Sequence, residues 1–378
     1  MEGIVLALFL CLLLALVTKY LSIPPIPFYI IGGVLLGKSG LALVTSDEIS
    51  RFFSQMGLLF LLFFMGLELK LERIAANRSA VLTSGIIDLN INMLIGFIAA
   101  YIFGFSLLES LVIASAFYIS STAMTITSLV ENRKLMMREA ETVIWLMVFE
   151  DLVLIIFLAV ISAGDQNPLL FLLKIAAVLA ILYAVAHYGK EFLISLLDRS
   201  DELPILFTFG AVLTTASFSM YLGVPETMMV IALGAALATT DPDAFEQHAR
   251  PFKDVFLVVF FVFFGLTINL AIGVNMIMIL SISLLAVASK FISGILTGIY
   301  IHESALAGIE IWGNTIGRGE FSIALAVLYG SPLVATTIAA MVIVTSIVGA
   351  FTAKYCTGLR KWIAMPGRRK SPHHMHNH

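Results

Sequence analysis

The chain has 378 residues, of which 60% are hydrophobic and only 12% charged, with a formal net charge of −3. Water-soluble domains carry about 25% charged residues, so an ordinary soluble core is excluded and lipid is the solvent for most of the chain. The balance is nearly neutral and no basic stripe with interleaved aromatics occurs, which argues against a nucleic-acid partner.

A helix needs about 20 apolar residues to cross a bilayer. On that measure the sequence predicts an all-α integral membrane protein with about 13 spans: 3–22, 26–44, 54–71, 79–104, 107–130, 138–163, 168–188, 204–222, 226–240, 254–271, 275–300, 303–330 and 332–357. The first run follows Met1-Glu2-Gly3, an acidic start without the basic flank of a signal peptide, and is read as a retained span.

Basic residues gather on alternate loops, with Arg51 the main exception: Lys70, Arg73 and Arg78, then Arg133, Lys134 and Arg138, then Lys190 and Arg199, then Arg250 and Lys253, then Arg360 and Lys361. The excess of Lys and Arg marks the cytoplasmic side, so the C-terminus is expected inside and the N-terminus outside. Residues 1–366 form one membrane domain. Residues 367–378 are a basic, His-rich tail (Arg368, Arg369, Lys370, His373, His374, His376, His378), read as an unstructured end. Cys11 and Cys356 lie in separate apolar runs without metal-ligand spacing and are read as packed or lipid-facing thiols.

An internal repeat is visible. Tyr20-Leu21-Ser22-Ile23-Pro24 resembles Tyr221-Leu222-Gly223-Val224-Pro225, and Phe64-Met65-Gly66-Leu67 resembles Phe263-Phe264-Gly265-Leu266, with Leu71 matching Leu270. Both matches are seven spans apart. An odd offset makes the copies run in opposite senses, which is an inverted repeat of six spans each: about 3–163 and about 204–357, with 168–188 as linker. Such repeats mark secondary transporters, whose sites lie at the midplane on discontinuous helices. The equivalent spans five and twelve carry Ser120-Ser121-Thr122 and Gly313-Asn314-Thr315-Ile316-Gly317-Arg318-Gly319-Glu320 in their middles. Glycines and hydroxyls let the backbone leave the helical ladder there.

Span six holds Glu150 and Asp151 side by side in the run 142–161. Each costs roughly 2.5 kcal/mol or more at bilayer depth, so a cavity or a partner is expected. Lys290 is the only charge in the middle of span eleven, too central to reach an interface, and pairing with the acids of span six is expected. Arg318 and Glu320 are expected to neutralise half-helix dipoles and each other. Asp88 in span four faces either the cavity or a packing contact, and Glu68 and Glu72 lie near a wet cytoplasmic end. Metalloprotease, hydrolase, phosphate-loop and dinucleotide motifs do not occur, so the chain reads as a transporter driven by an ion gradient rather than an enzyme.

Taken together, Phe149-Glu150-Asp151, Ser120-Ser121-Thr122-Ala123, Lys290 and Gly317-Arg318-Gly319-Glu320-Phe321-Ser322 resemble the second monovalent cation:proton antiporter family, in particular its Kef-type and Na+/H+ members. The resemblance implies the Na+/H+ antiporter fold with crossed discontinuous helices, a homodimer, and elevator-like alternating access. It places the ion-binding aspartate at Asp151. At the neighbouring position, Kef-type members carry Gln and electrogenic Na+/H+ members Asp; Glu150 departs from both. Kef proteins also carry a cytoplasmic nucleotide-binding domain, which is not found after residue 370 here, so a stand-alone transport domain and a piece of a longer protein are both open readings, with a regulatory domain or subunit outside this chain as a candidate partner.

The expected mechanism gives Asp151 alternately a proton and Na+ or K+, with Ser121 and Thr122 completing the ion site. Lys290 pairs with Glu150 when no cation is bound and competes for it when one is. No cofactor is expected beyond the transported ions. Two other readings are sodium-coupled organic-anion symport on the same inverted fold and a non-transporting membrane sensor. The expected location is a prokaryotic plasma membrane.

Overall fold

A computed structural model describes residues 2–21, 23–44, 48–69, 78–164, 167–269 and 275–364. Lys70, Glu72, Arg73, the Leu71–Leu270 match and the tail beyond residue 364 lie outside the described residues. The helices are α1 (Glu2–Leu21), α2 (Ile26–Leu36), α3 (Glu48–Leu67), α4 (Arg78–Ile102), α5 (Leu107–Tyr118), α6 (Thr122–Glu131), α7 (Arg138–Ala163), α8 (Pro168–Tyr188), α9 (Lys190–Leu197), α10 (Leu203–Leu222), α11 (Glu226–Leu237), α12 (Pro242–Thr267), α13 (Met276–His302), α14 (Ala305–Thr315), α15 (Glu320–Tyr329) and α16 (Pro332–Ala364).

Eight membrane-spanning stretches among the described residues are long and apolar enough to cross a bilayer, with α5 and α6 together forming one of them. Span twelve is likewise broken, into α14 and α15. With each broken pair taken as one pass and the short α9 set aside, the helices follow the thirteen passes read from the sequence.

Two differences have local causes. Residues 190–197, expected as a polar loop, form α9, because Leu193 and Leu197 are buried on one side while Lys190 and Glu191 stay exposed. Span ten begins earlier than expected. Asp241 caps α12 by accepting from the Ala244 backbone N–H, and Pro242 occupies its first turn. A proline there costs no hydrogen bond, so the helix runs through a polar segment that reads as loop. Phe245 and Ala249 fix that segment by burial, and Pro251 is carried inside the helix.

The inverted repeat is visible in the packing. In each copy the second span is short, with α2 starting after Pro24-Pro25 and α11 after Pro225. Helix α3 packs on α11, and its counterpart α12 packs on α2. The two crossings use equivalent glycines. A Cβ on Gly66 would strike the Ile231 carbonyl, and one on Gly234 the Phe63 carbonyl; a Cβ on Gly33 would strike the Val262 carbonyl, and one on Gly265 the Ile30 carbonyl. Small residues permit backbones to approach closely in membrane bundles.

The helices form two packing groups. One comprises α2, α3, α11 and α12, with α10 against α11. The other comprises α4–α7 and α13–α16, in which α4 packs against α13 and the broken helices pack on them through α5 and α14. Helices α8 and α10 leave many large apolar side chains uncovered, among them Leu169, Ile181, Val185, Leu206 and Phe218.

Candidate functional site

The site is built where the two broken helices meet. Helix α5 starts from a capping box, with Ser106 and Glu109 satisfying each other's backbone N–H groups, and ends at Tyr118. Ser121 then opens α6 as its N-cap, accepting from the Met124 N–H. The second break separates α14 from α15 over Ile316–Gly319. The breaks bond to each other directly. The Ser121 N–H donates to the Gly317 carbonyl at 2.8 Å, Ser120 Oγ to the Thr315 carbonyl at 2.9 Å, and Thr125 Oγ1 to the Asn314 carbonyl at 2.9 Å. A Cβ on Gly319 would collide with the Ser121 side chain, so the approach requires glycine.

Four half-helix ends converge here, and two charges sort them. Arg318, fully buried, donates through Nε (3.0 Å) and Nη2 (2.6 Å) to the Phe117 carbonyl, through Nη1 (2.6 Å) to Ile316, and through Nη2 (3.2 Å) to Ala286. The cation thus lies on the carbonyl ends of α5 and α14, where negative dipole ends gather. Glu320, in the first turn of α15, accepts from Ser121 Oγ at 2.8 Å and so sits at the N-terminal ends of α15 and α6. The mutual pairing expected of Arg318 and Glu320 does not occur: among the described residues Arg318 forms no ion pair. The four carbonyl bonds take the guanidinium elsewhere.

Next to the crossing, Glu150 accepts from the Ser120 backbone N–H, from Ser120 Oγ at 3.1 Å and from Lys290 Nζ at 2.7 Å. The pairing expected between Lys290 and span six is therefore present, through Glu150. Lys290 also donates to Asp88 Oδ2 at 2.7 Å. Of the two roles open to Asp88 from the sequence, neither described this one. Its other oxygen accepts from Ser293 Oγ at 2.6 Å and Asn92 Nδ2 at 2.9 Å, and Ser289 Oγ holds the Asn92 carboxamide at 2.7 Å. Lys290, Asp88 and Glu150 are each no more than 2% exposed. The Tyr118 ring, 5.5 Å from Nζ, covers the lysine.

Asp151 is different. It is buried, yet its Oδ1 has no hydrogen-bond partner among the described residues. Thr122 is among the groups that interact with it, but the buried Thr122 hydroxyl oxygen makes no hydrogen bond of normal geometry. Glu68, Glu150 and Glu320 are the acids whose charge reaches Asp151. Glu68 itself is exposed at the end of α3, as expected of a wet position. Ser121, expected as an ion ligand, has its hydroxyl committed to Glu320 and to the α6 cap. The arrangement offers a monovalent cation one open carboxylate oxygen and a neighbouring hydroxyl.

One further expectation is corrected. Lys134 was counted among loop cations, but it is buried and bonded to Glu310 Oε2 at 3.0 Å and to the Ala353 carbonyl at 2.6 Å, with Cys356 Sγ 3.0 Å away. Both cysteines are buried, which fits the packed one of the two readings given above.

An all-helical membrane bundle with an inverted repeat and two crossed, broken helices around buried acids defines the class of secondary-transporter membrane proteins. Residues 5–356 match the family described as sodium/hydrogen exchanger, transmembrane, and the chain belongs to that family. It is 32% identical over 337 residues to the K(+)/H(+) antiporter subunit KhtU of Bacillus subtilis, covering 85% of this chain and 83% of that protein. It is 28% identical to the ammonium/H(+) antiporter subunit AmhT of Alkalihalophilus pseudofirmus, covering 84% and 85%. Its fold is similar to the structure of the sodium proton antiporter MjNhaP1 of Methanocaldococcus jannaschii, with a TM-score of 0.72, 19% identity and 95% and 97% coverage.

Proposed function

We propose that this protein is a secondary antiporter that exchanges a monovalent cation for H+ across a bacterial plasma membrane. The observation that carries this reading is the Oδ1 of Asp151, which has no hydrogen-bond partner among the described residues, beside the Thr122 hydroxyl, which has none there either, in a region where Asp88, Glu150 and Glu320 all have partners. An open buried carboxylate at membrane depth is a functional group by default.

Asp151 holds either a proton or the cation, never both, and that competition enforces exchange. Thr122 supplies a hydroxyl to the cation, and Ser121 serves by holding Glu320. Lys290 rests on Glu150 while the cation is absent and gives way when it binds. The group of α4–α7 and α13–α16 carries the site in an elevator-like movement against the group of α2, α3, α11 and α12; their packing as two sets supports this. The uncovered apolar faces of α8 and α10 are consistent with a homodimer in lipid. The basic loops put the N-terminus outside and the C-terminus in the cytoplasm. The two relatives are named as subunits, which favours a regulatory partner outside this chain.

The cation is K+ or Na+, and the name of the 32% identical relative puts K+ first. The test is reconstitution into vesicles with a trapped pH dye, adding K+ and Na+ salts in turn. A cation-evoked pH change supports antiport and names the ion; folded protein that responds to neither contradicts it.

A further inference from the structure

Lys290 has two buried acids where the exchange cycle needs one. We propose that Asp88 is a positioning residue for cation exchange: it keeps Lys290 paired while Glu150 is released, so that the incoming cation never leaves an unpaired ammonium in the membrane. This rests on the antiport reading above and adds to it the route by which the lysine yields.

The geometry separates the two acids mechanically. Asp88 and Lys290 stand on α4 and α13, two helices packed along each other. The groups that fix Asp88 come from the same two helices: Asn92 from α4, Ser293 and Ser289 from α13. Glu150 stands on α7 and is tied to the first broken helix through both the N–H and the hydroxyl of Ser120. A shift of α7 and the break on cation binding therefore stretches Lys290–Glu150 and leaves Lys290–Asp88 intact.

The inverted repeat makes α4 and α13 counterparts, since spans four and eleven lie seven spans apart, and the two helices pack along each other. The Asp88–Lys290 contact therefore joins the two copies of the repeat, as does that of Asn92 with Ser293.

Charge then sets the direction of the effect. A buried ammonium with one partner removed is strongly disfavoured. With Asp88 present, Lys290 can surrender Glu150 and remain paired. Without Asp88, Lys290 has only Glu150, holds it harder, and the cation competes less well.

The experiment compares the full chain with Asp88→Asn, which keeps the shape and removes the charge, and Asp88→Glu, which restores it. Two readouts are taken: the apparent KM and maximal rate of cation-evoked proton flux in vesicles, and the cation concentration that half-maximally raises the melting temperature in detergent. Asp88→Asn is expected to raise both the KM and the half-maximal concentration by about tenfold, with the maximal rate within about threefold of wild type. Asp88→Glu is expected to recover most of the loss. In a Lys290→Met background the Asp88→Asn effect is expected to shrink below about twofold, because Asp88 acts through the lysine.

Unchanged cation affinity in Asp88→Asn overturns the proposal, and so does an equal loss with Lys290 absent. If wild type gives no flux with either cation, the antiport reading falls. The melting titration then still decides the role of Asp88: a shifted half-maximal concentration sustains it, and none overturns it.

Discussion

Lys290 Nζ lies 2.7 Å from Glu150 Oε1 with neither group more than 1% exposed, which ties span eleven to span six at the edge of the broken-helix crossing. Because Asp88 shares the same ammonium, the two ends of this contact are not equivalent. Lys290→Met leaves two buried carboxylates without their cation, and breaking a buried pair in this way costs about 3–5 kcal/mol. Glu150→Gln leaves Lys290 paired with Asp88 and is expected to cost distinctly less. Thermal melts of both variants in detergent check the order; equal losses would mean that Asp88 does not hold the lysine.

Arg318 reaches three carbonyls through four bonds from its planar fork. Lysine presents a single point charge and cannot span them. Arg318→Lys is expected to lose at least one charged hydrogen bond, about 1.5–3 kcal/mol each, and to lower the melting temperature. A silent Arg318→Lys would show that the charge, and not the fork, holds the crossing together.

The glycine crossings of the two copies make a matched pair. Gly66→Ala and Gly265→Ala each push a Cβ into a backbone carbonyl of the partner helix. Overpacking of this kind costs about 1–3 kcal/mol. The two losses are expected to agree, since the sites are related by the repeat. Gly358→Ala, where the added Cβ meets open space inside a helix, is the control and is expected not to lower the melting temperature.

Lys134 pins the turn between α6 and α7 to α14 and α16 through Glu310 and the Ala353 carbonyl. Lys134→Met alone strands a buried carboxylate and is expected to cost about 3–5 kcal/mol. Adding Glu310→Gln is expected to recover a large part of it. A double-mutant cycle on the melting free energies measures the coupling, and strict additivity would contradict the pairing.

What the sequence made legible was what short-range pattern controls. Apolar run length gave the passes. The Ser-Ser-Thr and Gly-rich interruptions gave the breaks, since residues 119–121 and 316–319 do leave the helix. The paired matches gave the inverted repeat. The charge of Lys290 demanded a partner, because an ammonium at that depth is costly alone. What could not be read were contacts set by which faces of distant helices meet. Asp88 and Lys290 are 202 residues apart, and nothing along α4 says that its acid points at α13. Arg318 and Glu320 look like a pair two residues apart, yet the carbonyl ends of α5 and α14 draw the arginine one way and Ser121 holds the glutamate another. The repeat offset was the available signal for Asp88: it maps span four onto span eleven, the two helices that carry the acid and the lysine.

The most direct measurement is cation-evoked proton flux in vesicles containing Asp151→Asn, beside wild type at equal folded protein and with K+ and Na+ each tested. The amide keeps the size of the side chain and removes the carboxylate proposed to trade a proton for a cation. The expected result is flux in wild type and none above empty vesicles in the variant, with the variant's melt showing an intact fold. Flux in Asp151→Asn comparable to wild type would contradict the assignment of exchange to Asp151.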